Sequence, residues 1–546
     1  MSTHPPTTVA QAFSASAHHW VERPFLAVLP ETAQAYGIAA GELSYAAAHQ
    51  RIAELRAAYA SAGYGHGHRV GLLLDNRPAF FLHWFALNGL GVSVVPINSD
   101  LRAVELEYLI GHSEIGLAVA VAQRHASLRA AASAAACRLA VMADGDAPPA
   151  APTPPPRAAQ PPNELSECAL LYTSGTTGRP KGCMLQNRYF LHAGRWYLGV
   201  GGLCVLRPGI ERMLTPLPMV HMNAMAFSTL ACVLSGGCLI AVDRFHPATW
   251  WASVREARAS IVHYLGVMPS MLMKAPPLAI DARHEVRFGF GAGVDKALHA
   301  PFEARFGFPL LEGWAMTETG AGAVIMANAE PRDVGTNCFG RETDDVQARV
   351  VGDDGAEAVV DQPGELWVRR AGADPRYGFF AGYLKDAPAT DEAWQDGWFH
   401  TGDIVRRDGQ GLLHFIDRRK NVIRRSGENI SAVEVESVLN QIAEVKASAV
   451  AATPDEVRGD EVLACIVTHQ RLSAPQREAL ARRIVEHTLS RLAYFKAPGY
   501  VAFVDELPLT ASQKIQRGEL KAMAMALPGQ PHCIDTRAMK KRQETA

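Results

Sequence analysis

The stretch TSGTTGRPKG, Thr173–Gly182, sets three glycines, one serine and three threonines beside Lys181, with no acidic residue among them. Glycines let a backbone approach a ligand closely, and hydroxyls and amides can then converge on phosphate oxygens. The spacing is not that of the common nucleotide loop G-x-x-x-x-G-K-[ST]: Gly175 and Gly178 stand too close, Pro180 precedes Lys181 and Gly182 follows it. This excludes a P-loop NTPase and leaves an anion site of another kind. A second stretch, LLEGWAMTETG (Leu310–Gly320), offers Glu318 as a candidate Mg²⁺ ligand and Trp314 as a flat face for a purine. A third, DGWFHTGD (Asp396–Asp403), ends on Asp403, whose two oxygens suit a pair of ribose hydroxyls. Two further loops, Phe415–Ser431 and Leu507–Leu520, carry basic residues among Gly or Ser; taken singly, each reads as a solvated face.

These residues need a scaffold. Residues 40–160 alternate strand-like and helix-like runs: Val70–Leu74 and Ala118–Val121 as buried strands, Asp100–Gly111 as a helix. That alternation implies a mostly parallel sheet flanked by helices. The Pro/Ala-rich segment Ala147–Pro162 reads as a stiff, extended linker. Cys168–Tyr172 then forms a buried strand feeding the Thr173–Gly182 loop. Beyond Arg341 the pattern becomes hairpin-like, with Ala348–Val351 and Glu365–Arg369 on either side of a turn at Asp353–Gly355. After Lys420 a small α+β unit begins. In it Ser431 and Glu434 spell a capping box, and Val435, Val438, Leu439 and Ile442 form one apolar helix face. A helix near Gln476–Leu492 and strands near Ser448–Ala452, Leu463–Val467 and Tyr500–Phe503 complete that unit.

The composition is that of a globular protein: 546 residues, 48% hydrophobic and 20% charged, with a net charge of -2. Such a balance gives no reason to expect nucleic acid as a partner. Nine cysteines without a C-x-x-C pair read as reduced core thiols, and so as a cytoplasmic protein. The N-terminus lacks a basic-then-apolar leader, and no signal peptide is expected. Arg212 to Asp243 encloses a run without charge, but Pro216, Pro218, His221, Gly236 and Gly237 interrupt it. It reads as a loop, a buried helix and a buried strand at Cys238–Val242, not as a membrane span.

Taken in order, YTSGTTGRPKG, EGWAMTE, GWFHTGD, DRRKNVIRRSGENI and LTASQKIQR resemble the motifs of the acyl/aryl-adenylate-forming enzymes, over about residues 40–522. Within that superfamily GVSVVPINSDLRAVELEYLI and VDELPLTASQKIQR look closest to carnitine/crotonobetaine-CoA ligase-like enzymes. The resemblance implies an α/β fold: a large AMP-binding N-terminal domain (1–418) of mostly parallel sheets with a small β-barrel-like subdomain, and a small mobile α+β C-terminal domain (419–546). It implies an ATP-dependent acyl-CoA ligase using ATP, Mg²⁺ and CoA, which makes an acyl-AMP and pyrophosphate and then a thioester. The alternatives are a free-standing adenylation enzyme serving a carrier protein, and a fatty or aryl acid ligase; a homodimer is left open.

Carried over residue by residue, the resemblance implies that Thr173, Ser174, Gly175, Thr176, Thr177, Gly178 and Lys181 hold the β and γ phosphates. Thr317 bonds the α-phosphate and Glu318 holds Mg²⁺. Gly291, Ala292 and Gly293 line the adenine site, where Trp314 stands for the usual Tyr and Ala315 for the usual Gly. Asp403 and Arg418 bind the ribose. Lys514, preceded by Gln513 instead of Gly, is the catalytic lysine. Lys420 is the hinge, and rotation there brings Ser426, Gly427 and Glu428 to the CoA thiol. His221 is a gate or carboxylate contact, with Met222, Met225, Gly266, Val267 and Met268 as candidates for the acyl pocket.

Overall fold

The computed structural model describes residues 5–157, 159–173, 179–418, 422–508 and 515–541. Ser174–Gly178, the hinge residue Lys420 and Lys514 lie outside the described residues.

Short runs such as Arg69–Leu73, Ser93–Pro96 and Leu117–Ala120 are apolar on both faces, which suits parallel strands covered by helices above and below. They pair in parallel with one another, and Ser93–Pro96 pairs with Glu167–Thr173. Lys181–Gln186 and Gly382–Tyr383 complete this seven-stranded sheet as antiparallel members. A second, eight-stranded sheet sets Ile261–His263, Phe288–Gly291 and Leu310–Trp314 side by side in parallel. Thr173, Gly291 and Trp314 are the last residues of their strands. Side chains expected to meet a nucleotide thus stand at the carboxyl ends of strands, where open α/β sheets gather ligands.

The hairpin expected beyond Arg341 forms between Val346–Val351 and Pro363–Arg370. It belongs to an antiparallel six-stranded sheet that also contains Trp398–Arg407 and Leu413–Arg418, with Asp403 opposite Arg418 in register. The fourth sheet uses only strands after Arg418, and Ala432–Leu439 and Ala474–Leu489 pack on it around Val435, Val462, Ile484 and Val501.

Two local expectations change, and a third holds with one strand added. The Pro/Ala segment is no free linker. Ala151 N–H donates to Ala62 O at 2.7 Å and Arg157 N–H to His66 O at 3.0 Å, so it straps the large domain. Ser431 does cap its helix, accepting from Glu434 N–H at 3.3 Å, but the helix ends at Leu439 and the Glu434 carboxylate turns away from the cap to Lys496. A buried lysine is a stronger attraction for a carboxylate than a single amide. The uncharged run after Arg212 folds as a strand Arg212–Thr215, a π-helical turn Asn223–Ser228, a helix Thr229–Ser235 and a strand Cys238–Ala241. Among the described residues no helix is long and apolar enough to cross a membrane.

Candidate active site

Glu318 is the focus of one cluster. It is buried, and its Oε1 accepts from the Tyr383 hydroxyl at 2.9 Å and from Thr173 Oγ1 at 3.4 Å. Its Oε2 receives no hydroxyl among the described residues. A buried carboxylate with protein hydroxyls on only one oxygen fits Mg²⁺, which keeps most of its ligands as water and phosphate. Burial, and then the Glu318 charge, raise the Tyr383 phenol well above its ordinary pKa, so it remains a donor. Lys181 stands over the Tyr383 ring at 4.8 Å and 3.9 Å from Asp386. The antiparallel pairing of Gly382–Tyr383 with Cys183 and Met184 is what brings Tyr383 here. Tyr383 and Asp386 carry no motif of their own. Thr317 is half-buried next to Glu318, its backbone carbonyl held by the Tyr189 hydroxyl at 2.9 Å.

A second cluster surrounds Trp314. Its indole N–H donates to Asp403 Oδ2 at 2.9 Å, and both side chains are buried. The aromatic residue expected as a stacking face therefore also orients the carboxylate expected to hold the ribose. Phe339 packs beside it, with ring centroids 6.3 Å apart. Gly291–Gly293 forms the neighbouring wall. A Cβ on Gly291 would lie 2.2 Å from Tyr264 O, so no larger residue fits. Glu312 pins this turn, accepting from Gly293 N–H at 2.9 Å and Val294 N–H at 3.1 Å. Sequence reasoning missed Glu312, which carries no signal of its own inside the strand Leu310–Trp314.

A third cluster crosses between the domains. Ser426 and Gly427 are the two turn residues of a hairpin joining Val422–Arg425 to Glu428–Ser431, both with positive φ, as such turns require. The hairpin tip packs on Leu265, and Glu428 Oε1 lies 3.5 Å from His221 Nε2. Burial opposes charge on His221, but Glu428 outweighs it and raises the imidazole above its ordinary pKa. A cavity of about 330 Å³ opens here, with Pro216–His221 and Leu265 on the large-domain side and Arg425–Glu428, Arg458 and Tyr494 on the other. Arg425 is buried with Nε on Glu461 at 2.8 Å, yet its Nη1, like Ser426 Oγ, has no hydrogen-bond partner among the described residues. Arg425 is a further residue that the sequence did not single out. Of the acyl-pocket candidates, Met225 and Met268 are core, while Met222 and Val267 are half-buried.

The structure thus brings Thr173, Lys181, Thr317 and Glu318 together, and sets Trp314 with Asp403. His221 and Glu428 meet across the domain boundary. Comparison with known proteins bears on what this arrangement does. A family model described as AMP-binding enzyme matches residues 15–384, and one described as AMP-binding enzyme C-terminal domain matches residues 434–514. A sulfoacetate–CoA ligase of Cupriavidus necator is 30% identical over 521 residues, covering 94% of this chain and 97% of that protein. A crotonobetaine/carnitine–CoA ligase of Shigella flexneri is 28% identical over 495 residues, 88% of this chain and 93% of that one. Among solved structures, an o-succinylbenzoate CoA synthetase double mutant from Bacillus subtilis, bound to its product analogue, superposes with a TM-score of 0.78 at 22% identity, covering 94% of this chain and 98% of the other.

Proposed function

This chain belongs to the AMP-binding enzyme family, and from that premise we propose how it works as an AMP-forming acid–CoA ligase. A carboxylate resists nucleophiles because its charge is spread over both oxygens. Attack on the α-phosphate of ATP converts it to an acyl-AMP with a good leaving group, and a thiol then displaces AMP. The first step drives an anion toward a polyanion, so placed cations and donors carry most of the rate.

In this reading Thr173, Lys181 and residues 174–178 hold the β and γ phosphates, and Thr317 bonds the α-phosphate. Glu318 would hold Mg²⁺, which when bound would supply positive charge to the phosphates. The Gly291–Gly293 wall and Trp314 take the adenine, and Asp403, oriented by Trp314, takes the ribose with Arg418. Lys514 bridges carboxylate and α-phosphate in the first step. In the second, the small domain, divided from the large one at 418/419 and turning at Lys420, presents Ser426, Gly427 and Glu428 to CoA beside His221. The cavity between hairpin and His221, with Arg425 Nη1 and Ser426 Oγ unpartnered beside it, is the observation that carries this reading. It is polar on the small-domain side and meets His221, as a channel for a phosphorylated thiol requires.

For the acid, the class proposed is a small carboxylic acid with a second polar or charged group. The similarity to ligases named for sulfoacetate and for crotonobetaine/carnitine supports it. The test is pyrophosphate release with ATP and Mg²⁺ over a panel of acids, sulfoacetate and crotonobetaine first, with and without CoA. AMP-forming turnover that becomes multiple only with CoA is expected. Turnover on no acid, or turnover indifferent to CoA, would overturn the reading; fatty or aryl acids outrunning the small ones would overturn the acid class.

A further inference from the structure

Outside the clusters above, one buried charged group joins the two domains. Lys496 Nζ donates to Glu105 Oε1 at 2.6 Å and to Glu434 Oε1 at 2.9 Å, and all three side chains are at least nine-tenths buried. Glu105 belongs to the large domain, in the first turn of the helix Ala103–Ser113; Glu434 and Lys496 belong to the small one. Lys496 closes the turn Tyr494–Lys496, whose Tyr494 and Phe495 line the same interdomain cavity as the Ser426–Glu428 hairpin. This contact is therefore made in the arrangement that sets Glu428 against His221.

We propose that Glu105 and Lys496 are positioning residues for the second half-reaction: their ion pair holds the small domain with its hairpin at His221, and it parts when that domain turns for adenylation. This rests on the ligase reading above. The two-to-one composition explains how a buried ion pair can be reversible. Separating a one-to-one pair would leave an uncompensated charge on each surface. Here, on separation, Lys496 keeps Glu434 from its own domain. Glu105 keeps its second role, accepting from Arg102 N–H at 2.9 Å to cap its helix. On separation Lys496 keeps a counter-ion and Glu105 keeps a backbone donor, while the joined state gains a short, charge-assisted hydrogen bond in a buried interface.

The test uses Glu105→Gln, whose amide oxygen still caps the helix while the charge is lost. Small-angle X-ray scattering of the full chain with AMP and CoA needs no acid. The wild type should scatter as the arrangement described here, and Glu105→Gln should shift away from it. With an acid from the panel above, thioester formation from supplied acyl-adenylate should fall by about tenfold while pyrophosphate release holds. Lys496→Met should act on the same half-reaction, and Glu105→Gln/Lys496→Met should be no slower there than Lys496→Met alone. Superimposable scattering of wild type and Glu105→Gln, or an equal loss in both half-reactions, would overturn the proposal. A scattering shift without turnover on any acid would sink the ligase reading and leave the domain contact standing.

Discussion

Trp314 and Glu428 each reach a partner far away in sequence. Trp314 finds Asp403 within the large domain at 2.9 Å, whereas Glu428 finds His221 across the domain boundary at 3.5 Å. One ion of the small domain, Lys496, repeats the contrast, although Arg425 pairs with Glu461 inside that domain. In the large domain Glu303 takes Arg332 through both its oxygens, and Arg305 takes Asp281, all within one body. In the small domain Lys496 divides itself between its own Glu434 and the other domain's Glu105. In the proposed reaction the nucleotide side stays in place, which preorganised electrostatic stabilisation requires. On the proposed thiol side the contacts across the domain boundary are made and unmade, which a two-step reaction in one site requires.

The largest expected break in this comparison is Lys514→Ala. Adenylation should fall about 10²–10³-fold, the loss of one transition-state donor, while thioester formation from supplied acyl-AMP changes little. Equal loss in the two half-reactions, measured separately, would erase the distinction between the two sides. Gly427→Ala should act in the opposite direction. Its Cβ would stand 2.2 Å from Leu265 Cδ1 at a φ of +89°, so the hairpin seats only with a strained turn and a displaced Leu265 side chain. Thioester formation should slow about tenfold or more and pyrophosphate release should hold; unchanged CoA kinetics would show that the hairpin does not work in this seat. Trp314→Phe keeps the aromatic face but removes the donor to Asp403. The KM for ATP should rise by up to about tenfold, the worth of roughly one buried hydrogen bond, with KM for CoA unaffected.

The smallest effect is on stability. Burial lowers the His263 pKa to about 3 and that of His192 to about 4, both in the large domain. Below about pH 6.5 the unfolded chain takes up these protons and the native one does not. Stability present above pH 6.5 is therefore lost as pH falls toward those values, by up to about 1.4 kcal/mol per pH unit for each group. Calorimetry between pH 7 and 5 should move the large-domain transition downward; a transition that stays put would mean these imidazoles are solvated.

Much of this was readable from local pattern. The apolar runs around Val70–Leu74 and Cys168–Tyr172, each too short for a helix, could bury themselves only as strands of a covered sheet, and both strands are present. Ser431 before an apolar helix face was a cap, and it caps. The Pro/Ala segment misled because composition reports stiffness but not what a stiff chain lies against. Tyr383, Glu312 and Arg425 carried no signal, since a single Tyr, Glu or Arg is equally compatible with surface or site until its neighbours are known.

The sequence by itself determined which residues are available for the proposed chemistry and their order along the chain: a Gly/Thr loop, Glu318, Asp403 and a basic C-terminal unit. Those depend on residue type and short spacing, which are local properties. Only the tertiary structure decided which groups meet. Strand pairing sets Tyr383 on Glu318, packing turns the Trp314 indole to Asp403, and the domain arrangement places Lys496 between Glu105 and Glu434. A hydrogen bond across 391 residues has no local pattern to announce it. It exists because two surfaces that each bury their own core also leave complementary charges where they touch.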